Sequence, residues 1–282
     1  MNTPVPVSFE FFPPKTDIGY DKLLTAHDEL KIAQPEFFSV TYGAGGSTQE
    51  RTINTVIELN SRGVPAAPHL SCIGSNRATV QALLEQYQAA GINRIVALRG
   101  DLPSGMRGTG GDFNHASDLV GFIKAEFADT FSIEVAAYPE MHPQANSFDQ
   151  DVDHFVAKAK AGADSAITQY FYNINAYKHF VSEVRRRDCD IAIVPGIMPI
   201  TNFANLKRFS TNCGAEIPRW ICQRMDAYGD DQESIGKFGL EVVTQLCQTL
   251  LDSGAPGIHF YTMNQVDPTR QLFQHLGLTK SS

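Results

Sequence analysis

The sequence predicts an α/β protein built as a single-domain (β/α)8 TIM barrel. Eight short apolar runs alternate with longer amphipathic segments, which is typical of a parallel sheet, and eight strand–helix units close a barrel. The length of 282 residues suits this fold, which takes about 250 residues. A doubly wound open sheet is the alternative. It normally carries a Gly-rich turn after the first strand, where this chain has Pro13, Pro14 and Lys15.

Hydrophobic periodicity places the individual elements. Strands are predicted at 5–11, 37–41, 66–70, 94–98, 132–138, 166–169, 192–195 and 257–261. Helices are predicted near 17–33, 48–62, 75–90, 117–127, 148–161, 175–187, 202–211, 231–253 and 267–276. The helical period is clear where Phe148, Val152 and Phe155 recur on one face. Residues 1–282 are therefore expected to form one domain.

Composition excludes several classes of protein. The net charge of −8 argues against a nucleic-acid partner, because phosphate binding needs clustered Lys and Arg. Five scattered cysteines without a C-x-x-C pair fit reduced thiols in the cytoplasm. The first residues lack the pattern of a signal peptide, and no apolar run approaches the ~18 residues of a membrane span. We therefore expect a cytoplasmic protein with no membrane segment.

Polar side chains follow nearly every predicted strand. Active sites of such barrels lie at the carboxyl ends of the strands, so a ring of polar groups there predicts an active site. The ring comprises Glu10, Thr41, His69, Arg99, Asp101, Tyr138, Glu140, His142, Gln169, His259 and Asn264.

Glu10 is the most informative member of this ring. Strand alternation puts Val7, Phe9 and Phe11 on one face and Glu10 on the other, pointing into the barrel. A carboxyl group among aromatic side chains with little water is expected to have a raised pKa, the property of a general acid. The alternative is an interior glutamate neutralised by a partner such as Arg99. Alternation alone leaves both interpretations open.

Two further segments carry candidate site residues. Gly100 would allow the backbone beside Asp101 to approach a ligand closely, and the glycine-containing stretch 102–115 is either a mobile lid or a plain loop. On the helix at 148–161, Asp151, His154 and Lys158 share the face opposite the apolar stripe. Such a trio normally faces solvent.

The eight histidines predict no metal site. They form no H-x-H and no H-E-x-x-H motif, and the closest acid–imidazole pair among the strand-end residues is Glu140 with His142. A Ser-His-Asp triad is not indicated either, because no G-x-S-x-G turn is present.

Eight sequence blocks resemble the methylenetetrahydrofolate reductase family, in the family's order and over residues 7 to 276. They are SFEFFPP at 8–14, SVTYGA at 39–44, APHL at 67–70, ALRGDLP at 97–103, AYPEMHP at 137–143, ITQYF at 167–171, VPGIMP at 194–199 and HFYTMN at 259–264. Each block alone is weak, whereas together they are specific. The length resembles the short bacterial type.

This resemblance implies a (β/α)8 barrel that binds FAD non-covalently. With NADH or NADPH it would reduce 5,10-methylenetetrahydrofolate to 5-methyltetrahydrofolate, by ping-pong hydride transfer through flavin N5, and so supply methyl groups for methionine synthesis. It implies that Glu10 is the general acid that helps open the five-membered ring of the folate. Asp101 would lie beside the flavin N1–C2=O edge, tune its potential and contact the pterin.

The resemblance also assigns binding residues. FAD contacts are implied for Thr41, Tyr42, Ala44, His69, Leu98, Arg99, Gly100, Asp101, His115, Ala116, Tyr138, His142, Asp151, His154 and Lys158. Substrate contacts are implied for Glu10, Asp101, Gln169, Asn205, Phe209 and Gln265. Three of these depart from the family pattern: Asn205 replaces a glutamine, Gln265 an arginine and His115 an aromatic residue.

Bacterial relatives further suggest a homo-oligomer, often a tetramer. Two other function classes remain open from the residues alone: a metal-dependent barrel hydrolase or lyase, and a flavin or folate binder without catalytic activity.

Overall fold

The computed structural model describes residues 5–42, 49–100 and 110–278, in which short parallel strands alternate with helices. The strands are β1 (Val7–Phe11), β2 (Phe37–Val40), β3 (Ala66–Ser71), β4 (Arg94–Leu98), β5 (Ser132–Ala137), β6 (Ser165–Thr168), β7 (Ala192–Val194), β8 (Gly196–Ile197) and β9 (Ile258–Tyr261). The helices are α1 (Asp17–Leu30), α2 (Gln49–Ser61), α3 (Arg77–Ala89), α4 (Ala116–Phe127), α5 (Phe148–Lys160), α6 (Ile174–Arg185), α7 (Phe203–Cys213), α8 (Arg219–Tyr228), α9 (Gln232–Asp252) and α10 (Thr269–Leu276), with a 3-10 turn at Lys31–Ala33.

The sheet closes into a barrel through a strand that is broken at Pro195. Its first half, β7, pairs with β6, and its second half, β8, pairs with β9. At the break, the Gly196 N–H donates to Thr168 Oγ1 at 2.9 Å and the Pro195 carbonyl accepts from His259 N at 3.0 Å. Counting β7 and β8 as one position gives eight parallel strands. The predicted (β/α)8 barrel is confirmed, and the alternative of an open sheet is wrong.

Strand β1 shows how alternation separates the outside of the barrel from its inside. Phe9 and Phe11 are buried against the helices, and the Phe9 ring lies 5.4 Å from that of Phe38 and 5.5 Å from that of Phe273. Burying each such ring contributes roughly 1.5–3 kcal/mol. Glu10 points to the barrel interior, as predicted.

The interior is filled in layers. A small apolar layer of Phe37, Ala67, Val96 and Ile167 crosses the middle of the barrel. At the amino-terminal end, the buried carboxylate of Glu134 pairs with Arg94 and accepts from the Ser165 hydroxyl. These layers close the barrel on the amino-terminal side of Glu10, and the cavity that holds Glu10 opens towards the carboxyl ends of the strands.

One helix was not predicted. No element is predicted between residues 212 and 230, yet α8 lies there. It buries only Ile221 and Met225, one helical turn apart, so its apolar stripe is too short to recognise by period. Among the described helices, none is long and apolar enough to cross a membrane.

Candidate active site

A cavity of about 550 Å³ opens at the carboxyl ends of the strands. Glu10 and His69 lie on one of its sides and the helix α7 on another. Its lining residues are Glu10, His69, Val96, Leu98, Ala136, Tyr138, His142, Pro143, Gln144, Ile167, Gln169, Tyr170, Met198, Phe209, Asn212, Cys213 and Tyr261. We call this space the central cavity.

Two imidazoles flank the Glu10 carboxylate on the inner wall of the barrel. Glu10 Oε2 lies 3.2 Å from His69 Nε2 and 3.7 Å from His259 Nε2. His259 is fully buried, and its Nδ1 lies 2.7 Å from the Ser8 hydroxyl. Three neighbouring strands, β1, β3 and β9, thus supply one compact acid–imidazole cluster.

The expectation of a raised pKa for Glu10 is wrong for the ligand-free protein. Burial raises its pKa and is the largest single effect, but His69 and His259 together lower it to about 2. The charges of both imidazoles act in the same direction. Glu10 is therefore a carboxylate at neutral pH. The aromatic neighbours in the sequence lie on the other face of the strand and do not surround it.

Arg99 is not the partner of Glu10. Its guanidinium donates to Gln144 Oε1 and to the Gly100 carbonyl at the outer side of the barrel mouth. The sequence alternative of an Arg99–Glu10 pair is therefore wrong, since strand β4 turns outward at this point.

A second cavity of about 380 Å³ lies outside the barrel mouth, between β4, α4 and α5. It shares Leu98, Ala136, Tyr138, His142 and Gln144 with the central cavity, so the two form one continuous groove. It brings together ten residues predicted to bind the cofactor: Leu98, Arg99, Gly100, His115, Ala116, Tyr138, His142, Asp151, His154 and Lys158. We call it the outer cavity.

The polar face of α5 points into this outer cavity. The Lys158 ammonium donates to the Ala136 carbonyl, and burial lowers the pKa of Lys158 to about 8. Asp151 accepts from the His142 N–H at 2.8 Å, while His154 stacks on His115 with ring centroids 5.5 Å apart. The trio on this helix therefore lines a cavity, with Asp151 and Lys158 partly buried and His154 exposed at its edge.

Gly100 bends the end of β4 around the edge of the outer cavity. Its φ is +89°, and a Cβ at this position would overlap Ser71 Oγ. Only glycine fits such a left-handed position pressed against a side chain. The backbone at Gly100 is thus free to approach a ligand closely, as the sequence predicts.

The remaining predicted site residues fall into three groups. Gln169 and Phe209 line the central cavity together with Glu10. Thr41, Tyr42, Asn205 and Gln265 line neither cavity, and Asn205 and Gln265 are exposed. Ala44 and Asp101 lie outside the described residues, and so does part of the stretch 102–115. The roles assigned to all of these residues stay predictions.

Several residues of the central cavity were not singled out from the sequence. Met198, Asn212, Cys213 and Tyr261 line it, and the Tyr261 hydroxyl donates to the Thr168 carbonyl at 2.6 Å. Tyr261 could have been found, because it is two residues after His259 on β9 and shares its inward face. The α7 residues carry no such signal. Among the residues described, no group of three or more His, Cys, Asp or Glu side chains could hold a metal ion.

The whole sequence was then compared with known proteins. The profile of the family described as "Methylenetetrahydrofolate reductase" matches residues 2–277. The chain belongs to this family. Membership of this family identifies the chain as one of a class of folate-reducing enzymes. The geometry of the Glu10 cluster and the groove alone identifies no substrate.

Individual relatives agree with this assignment. The 5,10-methylenetetrahydrofolate reductase of Escherichia coli is 39% identical over 273 residues, covering 96% of this chain and 90% of the relative. "Methylenetetrahydrofolate reductase (NADH) 1" of Zea mays is 34% identical over 98% of this chain but only 49% of its own length. A Clostridium thermocellum protein solved with 5-methyl-5,6,7,8-tetrahydrofolic acid shares the fold, with a TM-score of 0.66 and 16% identity over 98% of this chain and 94% of its own.

Proposed function

We propose that this chain, as one catalytic domain over residues 1–282, reduces 5,10-methylenetetrahydrofolate to 5-methyltetrahydrofolate with electrons from NADH or NADPH, carried by bound FAD. The observation that carries the proposal is the Glu10 carboxylate, held between His69 and His259 at one side of a groove formed by the two joined cavities. Membership of the family supports the folate as substrate.

The lining of the outer cavity suits the diphosphate of a dinucleotide such as FAD. Arg99, Lys158 and the imidazoles of His115 and His154 surround it, a donor set that suits a diphosphate. Lys158 has a backbone carbonyl as its neighbour and a lowered pKa, so an anion beside it would be stabilised strongly. When bound, FAD supplies the ring that accepts hydride from the nicotinamide and passes it to the folate. Leu98, Tyr138 and His142, which both cavities share, would lie along it.

The Glu10 cluster supplies the proton that this reaction needs. Opening the five-membered ring breaks the bond between the methylene carbon and one amine nitrogen of the folate, and that nitrogen must take a proton. Glu10 is anionic before the substrate binds, but His69 Nε2 is 3.2 Å from it, close enough to pass a proton. Because both imidazoles lie within 3.7 Å of the Glu10 carboxylate, we propose that the cluster as a unit stores this proton and that Glu10 delivers it.

An anaerobic titration tests the proposed function. The purified protein, loaded with FAD, should lose its flavin absorbance on addition of NADH and recover it on addition of 5,10-methylenetetrahydrofolate. Bleaching without recovery would indicate a different flavin oxidoreductase. Failure to retain FAD, together with hydrolase or lyase activity that depends on an added metal, would contradict the proposal. NADPH in a parallel titration decides the preferred donor.

Self-association is proposed only from the family resemblance. Light scattering on the eluting protein measures the mass of the assembly. A mass equal to that of one 31.0 kDa chain would contradict it.

A further inference from the structure

Helix α7 forms one wall of the central cavity. Phe209, Asn212 and Cys213 on its last turns all line that cavity. The buried side chains of Phe203 and Leu206 anchor the first turns of α7 in the core, so the contacts at its carboxyl end bear most directly on the width of the cavity beside Phe209.

Glu140, in the loop after β5, makes one of these contacts. Its Oε2 accepts the backbone N–H of Glu216, three residues after α7, at 2.7 Å. Its Oε1 is buried and has no hydrogen-bond partner in the described part of the chain. A void of about 10 Å³ beside it, room for about one water, is lined by Gln169, Tyr170 and Cys213 among others. The described residues lining this void include no lysine or arginine.

Two further contacts reach the same turn of α7. The buried Tyr170 hydroxyl, after β6, lies 3.0 Å from Ser210 Oγ and 3.4 Å from Cys213 Sγ. Gly214 ends the helix at φ +76°, and a Cβ there would lie 2.9 Å from Pro143 Cγ. The loops after β5 and β6 therefore hold the end of α7 by hydrogen bonds at two separate points, with close packing between them.

We propose that Glu140 is a positioning residue for the reaction: it fixes the last turn of α7, with Tyr170 as a second tie, and thereby places Phe209 at the correct distance across the cavity from Glu10. The identity of the reaction rests on the proposed function. The hydrogen bond that holds the end of α7 to Glu140 is independent of that function.

A pH dependence follows from the burial of Glu140. Burial is the main cause that raises the pKa of Glu140 to about 7, the Glu216 charge raises it further, and the Glu216 N–H opposes both. The titratable groups that face it are Tyr138 on its own loop, Tyr170 after β6, and Cys213 and Glu216 at the end of α7. If the turn opened, water would return the Glu140 pKa towards 4.5.

The closed turn therefore binds a proton more tightly than the open one. Its extra stability is complete below about pH 4.5 and is lost as the pH rises through about 7. Glu140→Gln keeps an acceptor for the Glu216 N–H but does not ionise, so the turn should remain closed at every pH in this range.

Amide hydrogen exchange on the FAD-free protein tests the tie itself. We expect the protection factor of the Glu216 amide to fall about tenfold in Glu140→Ala, the effect of losing one buried hydrogen bond. In the wild type it should be lower at pH 8 than at pH 5.5, and in Glu140→Gln equal at both. Asp164→Asn is the matched control, because Asp164 accepts the Ile133 N–H at 2.7 Å at the other end of β5. Unchanged protection in Glu140→Ala would overturn the proposal.

Steady-state and half-reaction kinetics of the FAD-loaded protein test the positioning role. Glu140→Ala should raise the KM for the folate about tenfold, change kcat less than about threefold and leave FAD affinity unchanged, and Glu140→Gln should restore the KM at pH 8. Tyr170→Phe should give a smaller increase. Its control is Tyr177→Phe, a buried tyrosine that donates to the Ile193 carbonyl at 2.8 Å.

The two sets of measurements separate the possible failures. Loss of Glu216 protection without a change in KM would show that the contact is only structural, and would overturn the positioning role. A wild-type protein that exchanges as expected but never reduces the folate would instead refute the proposed function, and the positioning role with it, while the tie to α7 would stand. Equal melting temperatures of Glu140→Gln and wild type at pH 5.5 verify that the variant folds.

Discussion

Burial and the two neighbouring imidazoles shift the pKa of Glu10 in opposite directions and so decide its charge. Removing the carboxyl group from water raises its pKa, whereas two imidazoles within 3.7 Å lower it. The imidazoles prevail, because a carboxylate beside a cation in a poorly solvated site is stabilised more than it is in water. The charge of Glu10 on β1 therefore depends on side chains that β3 and β9 supply.

Removing one imidazole should reverse this balance. In His69→Gln, the Glu10 carboxyl stays buried but loses its nearest imidazole, so its pKa should rise from about 2 towards its ordinary value of 4.5. Carbon-13 NMR of the glutamate carboxyl groups across pH 2 to 8 measures this directly. His27→Gln removes another buried histidine far from the cavity and should leave the Glu10 titration unchanged. A Glu10 pKa still near 2 in His69→Gln would contradict the assignment of His69 as the main partner.

Glu10→Gln should separate the two half-reactions. Flavin reduction by NADH should remain within about threefold of wild type, because it needs no proton from this cluster. Folate reduction should fall about 10²–10⁴-fold, the usual contribution of a general acid. Stopped-flow absorbance of the flavin measures both steps.

Glu134→Gln serves as the control for this variant. It neutralises another buried carboxyl group of the barrel interior, at the closed end. It should cost stability without changing the ratio of the two half-reactions. Equal loss of both half-reactions in Glu10→Gln would mean that Glu10 acts only on structure or on cofactor binding.

At the scale of elements, the barrel depends on the interrupted strand β7–β8. Pro195 has no N–H to donate, so the pairing partner changes there from β6 to β9. Gly196 makes this possible, because a Cβ would overlap the Thr168 carbonyl oxygen and crowd the Tyr261 ring. The strand that closes the barrel therefore also packs closely against Tyr261, which lines the central cavity.

Gly196→Ala should lower the free energy of unfolding by about 1–3 kcal/mol or more, the cost of overpacking a rigid site. Gly236→Ala is the matched control. Gly236 lies within α9, where an added methyl group would meet no atom within 4 Å beyond the helix's own backbone, and alanine there should stabilise the helix by about 0.5–1 kcal/mol. Urea unfolding followed by circular dichroism measures both changes. Equal effects of the two substitutions would contradict the tight approach at the strand break.

At the scale of the whole molecule, buried ionisable groups outside the site control stability against pH. His27 on α1 is fully buried, its ring lies 4.4 Å from Phe38, and its Nδ1 lies 3.0 Å from Asp28 Oδ1. Burial lowers the pKa of His27 below its ordinary value of 6.5, with Asp28 acting against it. A histidine with a lowered pKa contributes stability that is complete above pH 6.5 and is lost as the pH falls through its folded-state value.

In His27→Leu, the free energy of unfolding should depend less on pH below pH 7. Between pH 7 and pH 5 the wild-type free energy of unfolding should decrease, and the variant should lose less over the same interval. His179→Gln, at an exposed histidine on α6, should retain the wild-type slope. Urea midpoints at each pH measure the slopes. Parallel profiles for His27→Leu and wild type would show that other groups cause the acid sensitivity.

Much of the fold was predictable because hydrophobic period is a local property of the chain. The eight strand positions and most helices were found this way, and the inward direction of Glu10 followed from alternation in Val7–Phe11. Helix α8 was missed because two buried side chains, Ile221 and Met225, define no period. The break at Pro195 was missed because its cause is the pairing of β8 with β9, which lie far apart along the chain.

The sequence by itself determined the barrel, its family and the strand ends at which a site would form, since all three depend on residue types in a fixed order. Only the tertiary structure decided the state of the site. It placed His69 and His259 beside Glu10, moved Arg99 away from it and turned the polar face of α5 into the outer cavity. The physical reason is that charge and burial act through space, between strands and loops that lie far apart in the chain.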